Sequence, residues 1–240
     1  MAVQLLEHNK KAYQSAVEML QKYGSAAIVH PTGTGKSFIA FRYVEQHPDE
    51  RVLWLSPSEY IFKTQMENLC SSTEYQTPPN LTFLTYAKLM LLQSDELATL
   101  KPDCIILDEF HRCGAECWGE GVNRLLRAFP KAKLLGLSAT SVRYLDNQRD
   151  MAQELFGNRI ASEMSLGESI VRGILPAPVY VNILYSYQDE LDKYQQQVKN
   201  LRSPGLQDVN QKYLDALRRA LDKAEGHGTN LPASPNCNYL

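Results

Sequence analysis

Neither sign of charge dominates this 240-residue chain: Lys and Arg number 25 against 27 Asp and Glu, a formal net charge of −2. No whole-chain basic field marks an obligate polyanion binder, so any nucleic-acid site must be local. Cysteine is scarce, at five residues without a paired spacing, which excludes a disulfide-dense scaffold and agrees with a reducing compartment. No apolar stretch approaches the ~20 residues that span a bilayer, and the opening MAVQLLEHNKK lacks the apolar core and cleavage site of a secretory leader. The chain is therefore expected to be soluble and cytoplasmic, with no membrane partner. Glycine (13) and proline (12) are too few for a collagenous chain, and 44% hydrophobic residues suffice for a sizeable core.

What is present is alternation. Val3, Leu6, Ala12, Ala16, Met19 and Leu20 recur at roughly helical spacing and Gly24 follows, which predicts an amphipathic helix over 3–23. Apolar runs at 26–29, 52–55, 81–84, 104–107, 134–137 and 179–184 read as strands, several of them apolar at successive positions as in strands buried on both faces. Helical patterns over 38–46, 60–70, 86–92 and 118–129 lie between them. This order predicts an α/β fold, a mostly parallel sheet flanked by helices, with ligands beyond the C-terminal strand ends. Leu191, Tyr194, Val198 and Leu201, then Leu206, Val209, Tyr213, Leu217 and Leu221, resume helical spacing on either side of Ser203-Pro204-Gly205. The expected organisation is an α/β domain over 1–185, a helical appendix over 186–226 and a poorly ordered tail over 227–240.

Directly after the first strand stands His30-Pro31-Thr32-Gly33-Thr34-Gly35-Lys36-Ser37, followed by a helical pattern. Strand, glycine-rich loop, Lys-Ser and helix form a phosphate-binding arrangement of the P-loop kind. Backbone N–H groups of Thr32, Gly33, Thr34 and Gly35 close around a phosphate, Lys36 pairs with β/γ oxygens and the Ser37 hydroxyl ligates Mg²⁺. His30 departs from G-x-x-x-x-G-K-[ST], holding the first glycine position. At the end of the fourth apolar run, Asp108-Glu109 places two carboxylates side by side. With a phosphate loop upstream, Asp108 is expected to hold Mg²⁺ and Glu109 to accept the proton of an attacking water. Cys113 and Cys117 beside His111 invite a zinc reading, which we reject because three candidates on one short segment lack a second pair.

With Ser138-Ala139-Thr140 closing the fifth run, the motifs resemble, in order and spacing, the first RecA-like domain of superfamily 2 helicases and translocases over residues 3–185. His30 to Ser37 is similar to motif I, Leu53 to Ser58 with the segment to Gln65 to motif Ia, and Phe83-Leu84-Thr85-Tyr86 to motif Ib. Asp108-Glu109-Phe110-His111 is similar to motif II in its D-E-x-H form. The wording D-E-F-H and Val171-Arg172-Gly173-Ile174-Leu175-Pro176 look most like the type III restriction-subunit-like helicases. The resemblance implies ATP and Mg²⁺ as ligands and ATP hydrolysis as the activity. It implies coupling roles for His111, Ser138 and Thr140, and DNA or RNA contacts by Ser56, Pro57, Ser58, Lys63, Thr85, Tyr86 and Arg143. It also places Asn9 nearest to the glutamine that reads adenine in related groups.

Such a motor needs a second RecA-like domain carrying the arginines that complete the ATP site, and no motifs of that domain follow residue 185. The chain is expected to be an N-terminal portion that meets this domain in a longer protein or a partner subunit, and to turn over ATP weakly alone. Two other readings remain: the motor part of a restriction-modification complex, and a non-catalytic nucleotide-binding interaction module.

Overall fold

Strands that are apolar along their whole length find a stable place only between two layers of helix. The computed structural model describes residues 3–73, 78–143 and 149–179 and, further along, 193, 196, 200, 208–216, 218 and 219, the side chains of 70–73, 116 and 117 excepted. Helix α1 (Glu7–Tyr23) leads into β1 (Ser25–Val29), followed by α2 (Lys36–Gln46), β2 (Val52–Ser56), α3 (Glu59–Thr73) and β3 (Leu81–Thr85). Then come α4 (Tyr86–Leu91), α5 (Ser94–Leu100), β4 (Cys104–Asp108), a 3-10 turn (Phe110–Gly114), α6 (Glu116–Ala128) and β5 (Lys133–Ser138). Two-residue strands β6 (Val142–Arg143) and β7 (Arg149–Asp150) precede α7 (Met151–Phe156), β8 (Ile160–Glu163) and α8 (Leu166–Val171).

Six strands form one sheet in the order β3-β2-β4-β5-β1-β8, every pairing in it parallel. β6 and β7 make a separate antiparallel ladder. Alternation along each strand divides the core in two. Ala26, Ile28, Val52, Trp54, Ile106 and Leu137 pack with Ala12, Ala16 and Leu20 of α1 and Ile39 and Phe41 of α2. On the other face Ala27, Val29, Leu55, Ile105 and Leu107 pack with Tyr86 and Leu89 of α4, Val122 and Leu125 of α6 and Phe156 of α7. The parallel, helix-flanked sheet is as the alternation of patterns predicts.

Helix α1 starts four residues later than the periodicity suggests, because Leu6 is extended (φ −64, ψ 157) and Val3 is buried in the lead-in strand-like segment, its N–H donating to the Glu45 carboxylate at 3.1 Å. It stops at Gly24, which is left-handed (φ 75) and donates its N–H to Leu20 O. Helices α5, α7 and α8 and the edge strand β8 were not expected from the apolar runs. The strand expected over 179–184 falls outside the described residues from residue 180 on, as do most of 186–226 and the tail 227–240. The chain divides into two units, Met1–Ala177 and Pro178–Leu240. In the second unit residues 208–216 are helical. Among the described residues no helix is long and apolar enough to cross a membrane.

Candidate nucleotide-binding and hydrolysis site

Because β2, β4, β5 and β1 are neighbours in the sheet, the loops that follow them line up along one edge although they are far apart in sequence. The loop after β1 curls tightly: Gly33 and Gly35 have φ 90 and 83, the left-handed region that glycine enters without a Cβ penalty. A Cβ at Gly35 would lie 2.9 Å from Asn9 Nδ2, so the position is closed to larger residues twice over. Thr34 Oγ1 donates to Pro31 O at 2.8 Å and braces the turn. Thr32 and Gly33 are exposed at its tip, and Ser37 is half-buried in the first turn of α2. That helix presents its free N–H groups and positive end to the loop.

Lys36 is buried, and its ammonium donates to His30 O at 2.8 Å and Pro31 O at 3.1 Å. Burial lowers its pKa, while the carboxylates of Glu109 and Asp108 act in the opposite sense. From the other side α1 reaches in. Asn9 Nδ2 donates to Thr34 O at 2.9 Å and to Gly35 O at 3.3 Å, and His8 Nε2 lies 2.9 Å from the same Thr34 oxygen. Asn9 Oδ1 is buried with no hydrogen-bond donor among the described residues. Asn9 thus sits against the phosphate loop, with one acceptor still to be satisfied.

Asp108 ends β4 and is buried; its Oδ2 accepts from Ser56 Oγ and Gln65 Nε2, each at 3.3 Å. Burial, reinforced by the neighbouring Glu109 charge, pushes its carboxyl up to about 6. A buried carboxylate served by two neutral donors is of the chemistry that suits a hydrated divalent cation, and Asp108 therefore fits Mg²⁺. Glu109 has φ 53, a left-handed backbone that costs a non-glycine residue energy and recurs at functional sites. Its Oε2 lies 3.3 Å from His111 Nδ1, which in turn is 2.7 Å from Ser138 Oγ. Thr140 N donates to that hydroxyl at 3.4 Å, and the Thr140 side chain exchanges 3.2 Å hydrogen bonds with the backbone of Val142. One polar chain therefore runs from Glu109 through His111 and Ser138 to Thr140. Burial lowers the His111 pKa, opposed by Glu109 and reinforced by Arg112, Arg143 and Lys36.

Three of the residues expected at a nucleic-acid surface need correction. Ser56 is fully buried and serves Asp108. Tyr86 is fully buried, stacked on Trp118 with centroids 5.2 Å apart, and its hydroxyl donates to Asp108 O at 2.8 Å. Thr85 is buried and its hydroxyl caps α4 by accepting Lys88 N. All three support the Asp108 turn or its neighbour from inside. Pro57 and Ser58 are half-buried, Lys63 is exposed, and Arg143 joins His111, Arg112, Trp118 and Thr140 around a cleft of about 550 Å³. Cys113 is a core residue whose thiol burial pushes up to about 12; the Cys117 side chain lies outside the described residues. His8 and the amide of Gln65 are site residues that sequence reasoning missed. His8 had a signal in its place beside Asn9, whereas nothing in the sequence points Gln65 at Asp108.

Among the solved structures that share this architecture are a helicase domain and a restriction-modification enzyme. The helicase domain of Hef from Pyrococcus furiosus is 18% identical, with a TM-score of 0.51 over 80% of this chain and 46% of that one. The ATP-dependent type ISP restriction-modification enzyme LlaBIII, solved bound to DNA, is 18% identical, with a TM-score of 0.50 over 71% of this chain and 16% of that one. At such identities the likeness is one of fold, and this chain spans less than half the length of either. A comparison with curated proteins gives no match. The family model described as "Type III restriction enzyme, res subunit" matches residues 2–143, well over half the chain, and includes the phosphate loop, D-E-F-H and Ser138-Ala139-Thr140. The chain belongs to the family of the type III restriction enzyme res subunit.

Proposed function

We propose that this chain is the ATP-binding part of a nucleic-acid-dependent ATPase, a helicase or translocase that binds Mg-ATP here and hydrolyses it when a second RecA-like domain, in a longer chain or a partner subunit, closes on the site. One observation carries the reading: Lys36, buried Asp108 and backbone-strained Glu109 converge on one sheet edge, close enough for both carboxylates to act on the lysine. The loop amides of 32–35 and Lys36 hold the phosphates, and Ser37 and Asp108 hold the cation. Mg²⁺ held by Ser37 and Asp108 would supply positive charge against the negative charge that develops during phosphoryl transfer. Glu109 orients the attacking water and takes its proton, and Asn9, seated on the phosphate loop through its Nδ2, is the residue proposed to meet adenine. The Glu109–His111–Ser138–Thr140 chain links the hydrolytic residue to the Arg143 cleft, where DNA, or alternatively RNA, is proposed to bind along with Pro57, Ser58 and Lys63.

A second reading, the motor part of a restriction-modification complex, is favoured by the family match over residues 2–143. It keeps the same ATPase and changes only the output. A non-catalytic module is disfavoured by the presence of Lys36, Asp108 and Glu109 together.

The test is nucleotide titration and ATP turnover of the chain with Mg²⁺, with and without single- and double-stranded DNA and RNA. Lys36→Ala is expected to weaken Mg-ATP binding by at least about 100-fold, since it removes a charge-assisted contact from a buried site. Glu109→Gln is expected to bind normally and lose turnover. Turnover of the chain alone should stay well below ~10 s⁻¹, the median of complete enzymes. Mg-ATP binding that survives Lys36→Ala unchanged would remove the reading.

A further inference from the structure

His30 occupies the first glycine position of G-x-x-x-x-G-K-[ST], where a side chain is not required. Its backbone is fully engaged: the N–H donates to Ser138 O at 3.0 Å, extending the β1–β5 ladder, and the carbonyl receives the Lys36 ammonium. The imidazole is completely buried, with Nε2 2.8 Å from Ser162 Oγ on β8 and Nδ1 without a partner among the described residues. An imidazole buried with one nitrogen unsatisfied is less stable than an apolar side chain of similar size, so packing alone does not account for it. Burial and the Lys36 charge hold the ring's pKa down to about 4, so it acts as a neutral hydrogen-bonding group.

The segment that meets His30 also pairs with β1 and ends close to the tip of the loop. β8 pairs with β1 along Ala27–Val29 with a register shift after Ala27, and Met164 N donates to Val29 O at 2.9 Å. After α8 the chain turns at Gly173 (φ 67), Ile174 and Leu175 both donate their N–H to Ser169 O, and Leu175 Cδ2 comes to rest 3.2 Å from where a Cβ on Gly33 would stand. Residue 30 of the loop is thus bonded to the 160–175 segment, and residue 33 lies close to its end. Between them, the carbonyls of His30 and Pro31 carry Lys36. An anion that draws the ammonium away acts directly on the peptide bearing the imidazole.

We propose that His30 is a positioning residue: its hydrogen bond to Ser162 ties the phosphate loop to the β8–Leu175 segment, so that nucleotide occupancy of the loop and the ordering of that segment are coupled. This rests on reading the loop as a nucleotide site. Ser162 belongs to a half-buried edge strand, and among the described residues its side chain hydrogen-bonds to His30 and to no residue of the 32–37 stretch, so Ser162→Ala is the decisive variant.

The experiment measures Mg-ATP affinity of the full chain for wild type, His30→Ala, Ser162→Ala, the double variant and His30→Gln, with melting temperature and amide hydrogen exchange of 160–175 recorded for each. Each single alanine variant is expected to weaken binding about tenfold, the effect of one buried hydrogen bond. The double variant should weaken it no further, and His30→Gln, which can still reach Ser162, should stay within about threefold of wild type. Mg-ATP should slow exchange of 160–175 in wild type, and this response should vanish in Ser162→Ala at unchanged melting temperature. Additive effects, an unaltered Ser162→Ala affinity, or a retained exchange response in Ser162→Ala would overturn the coupling while leaving the nucleotide site intact. Wild-type chain that binds no Mg-ATP would overturn both.

Discussion

A carboxylate as deeply buried as Asp108, served among the described residues by one hydroxyl and one amide, destabilises the chain whenever no cation is near. Asp108→Asn removes the charge and keeps the shape. It is expected to raise cation-free stability by roughly 1–2 kcal/mol, read as a higher melting temperature, and to abolish the further stabilisation that Mg-ATP is proposed to give wild type. A lower melting temperature in the variant would mean that the charge already has a stabilising partner. Lys36, Asp108 and Glu109 stand out in the sequence by type and order alone, and the fold brings them to one sheet edge. Their supporting cast was not. Ser56, Thr85 and Tyr86 follow or end strands exactly where ligand-contacting residues stand, and only the packing of Tyr86 on Trp118 and the reach of Ser56 to Asp108 turn them inward.

Among the elements, β5 shows how closely the two layers are fitted. Gly136 lies opposite Ala27 of β1, and a Cβ there would fall 2.3 Å from Phe156 Cζ and 2.9 Å from Phe110 Cδ1, two rings packed edge to face at 5.0 Å. Phe110 immediately follows Glu109, so the same contact seats the 3-10 turn that carries the strained backbone. Gly136→Ala is therefore expected to cost about 1–3 kcal/mol in thermal unfolding and to lower ATP turnover beyond what the lost stability explains. Wild-type stability would show that the rings have room to move. The long elements were readable because whole faces of them are apolar. The short ones announce themselves by their ends. Asp150 caps α7 by accepting from Ala152 and Gln153, Ser165 caps α8 by accepting from Glu168, and Gly157 closes α7 in the left-handed region. β8 offered no such signal, being four residues long, half-exposed and on the sheet edge.

Over the molecule as a whole, motifs that appear in one order along the chain are assembled in another, and periodicity does not reveal which strands will be neighbours. β1 carries the phosphate loop near the beginning of the chain, yet Ser25 pairs with Leu134 and Ala27 with Ile160. Every pairing in this sheet is parallel and closes a long loop before any contact rewards it, so assembly is slow and the central strands join late. In refolding from denaturant, binding of a fluorescent ATP analogue is expected to return with the slowest phase, after most helical signal has recovered; recovery in step with the helices would refute this order. The phosphate loop thus leaves the ribosome before β5, the strand it pairs beside, and is expected to become competent only after that strand has joined. A nascent chain that ends between residues 38 and 132 carries the complete Gly33–Ser37 text with no β5 beside it, and is expected to capture no nucleotide.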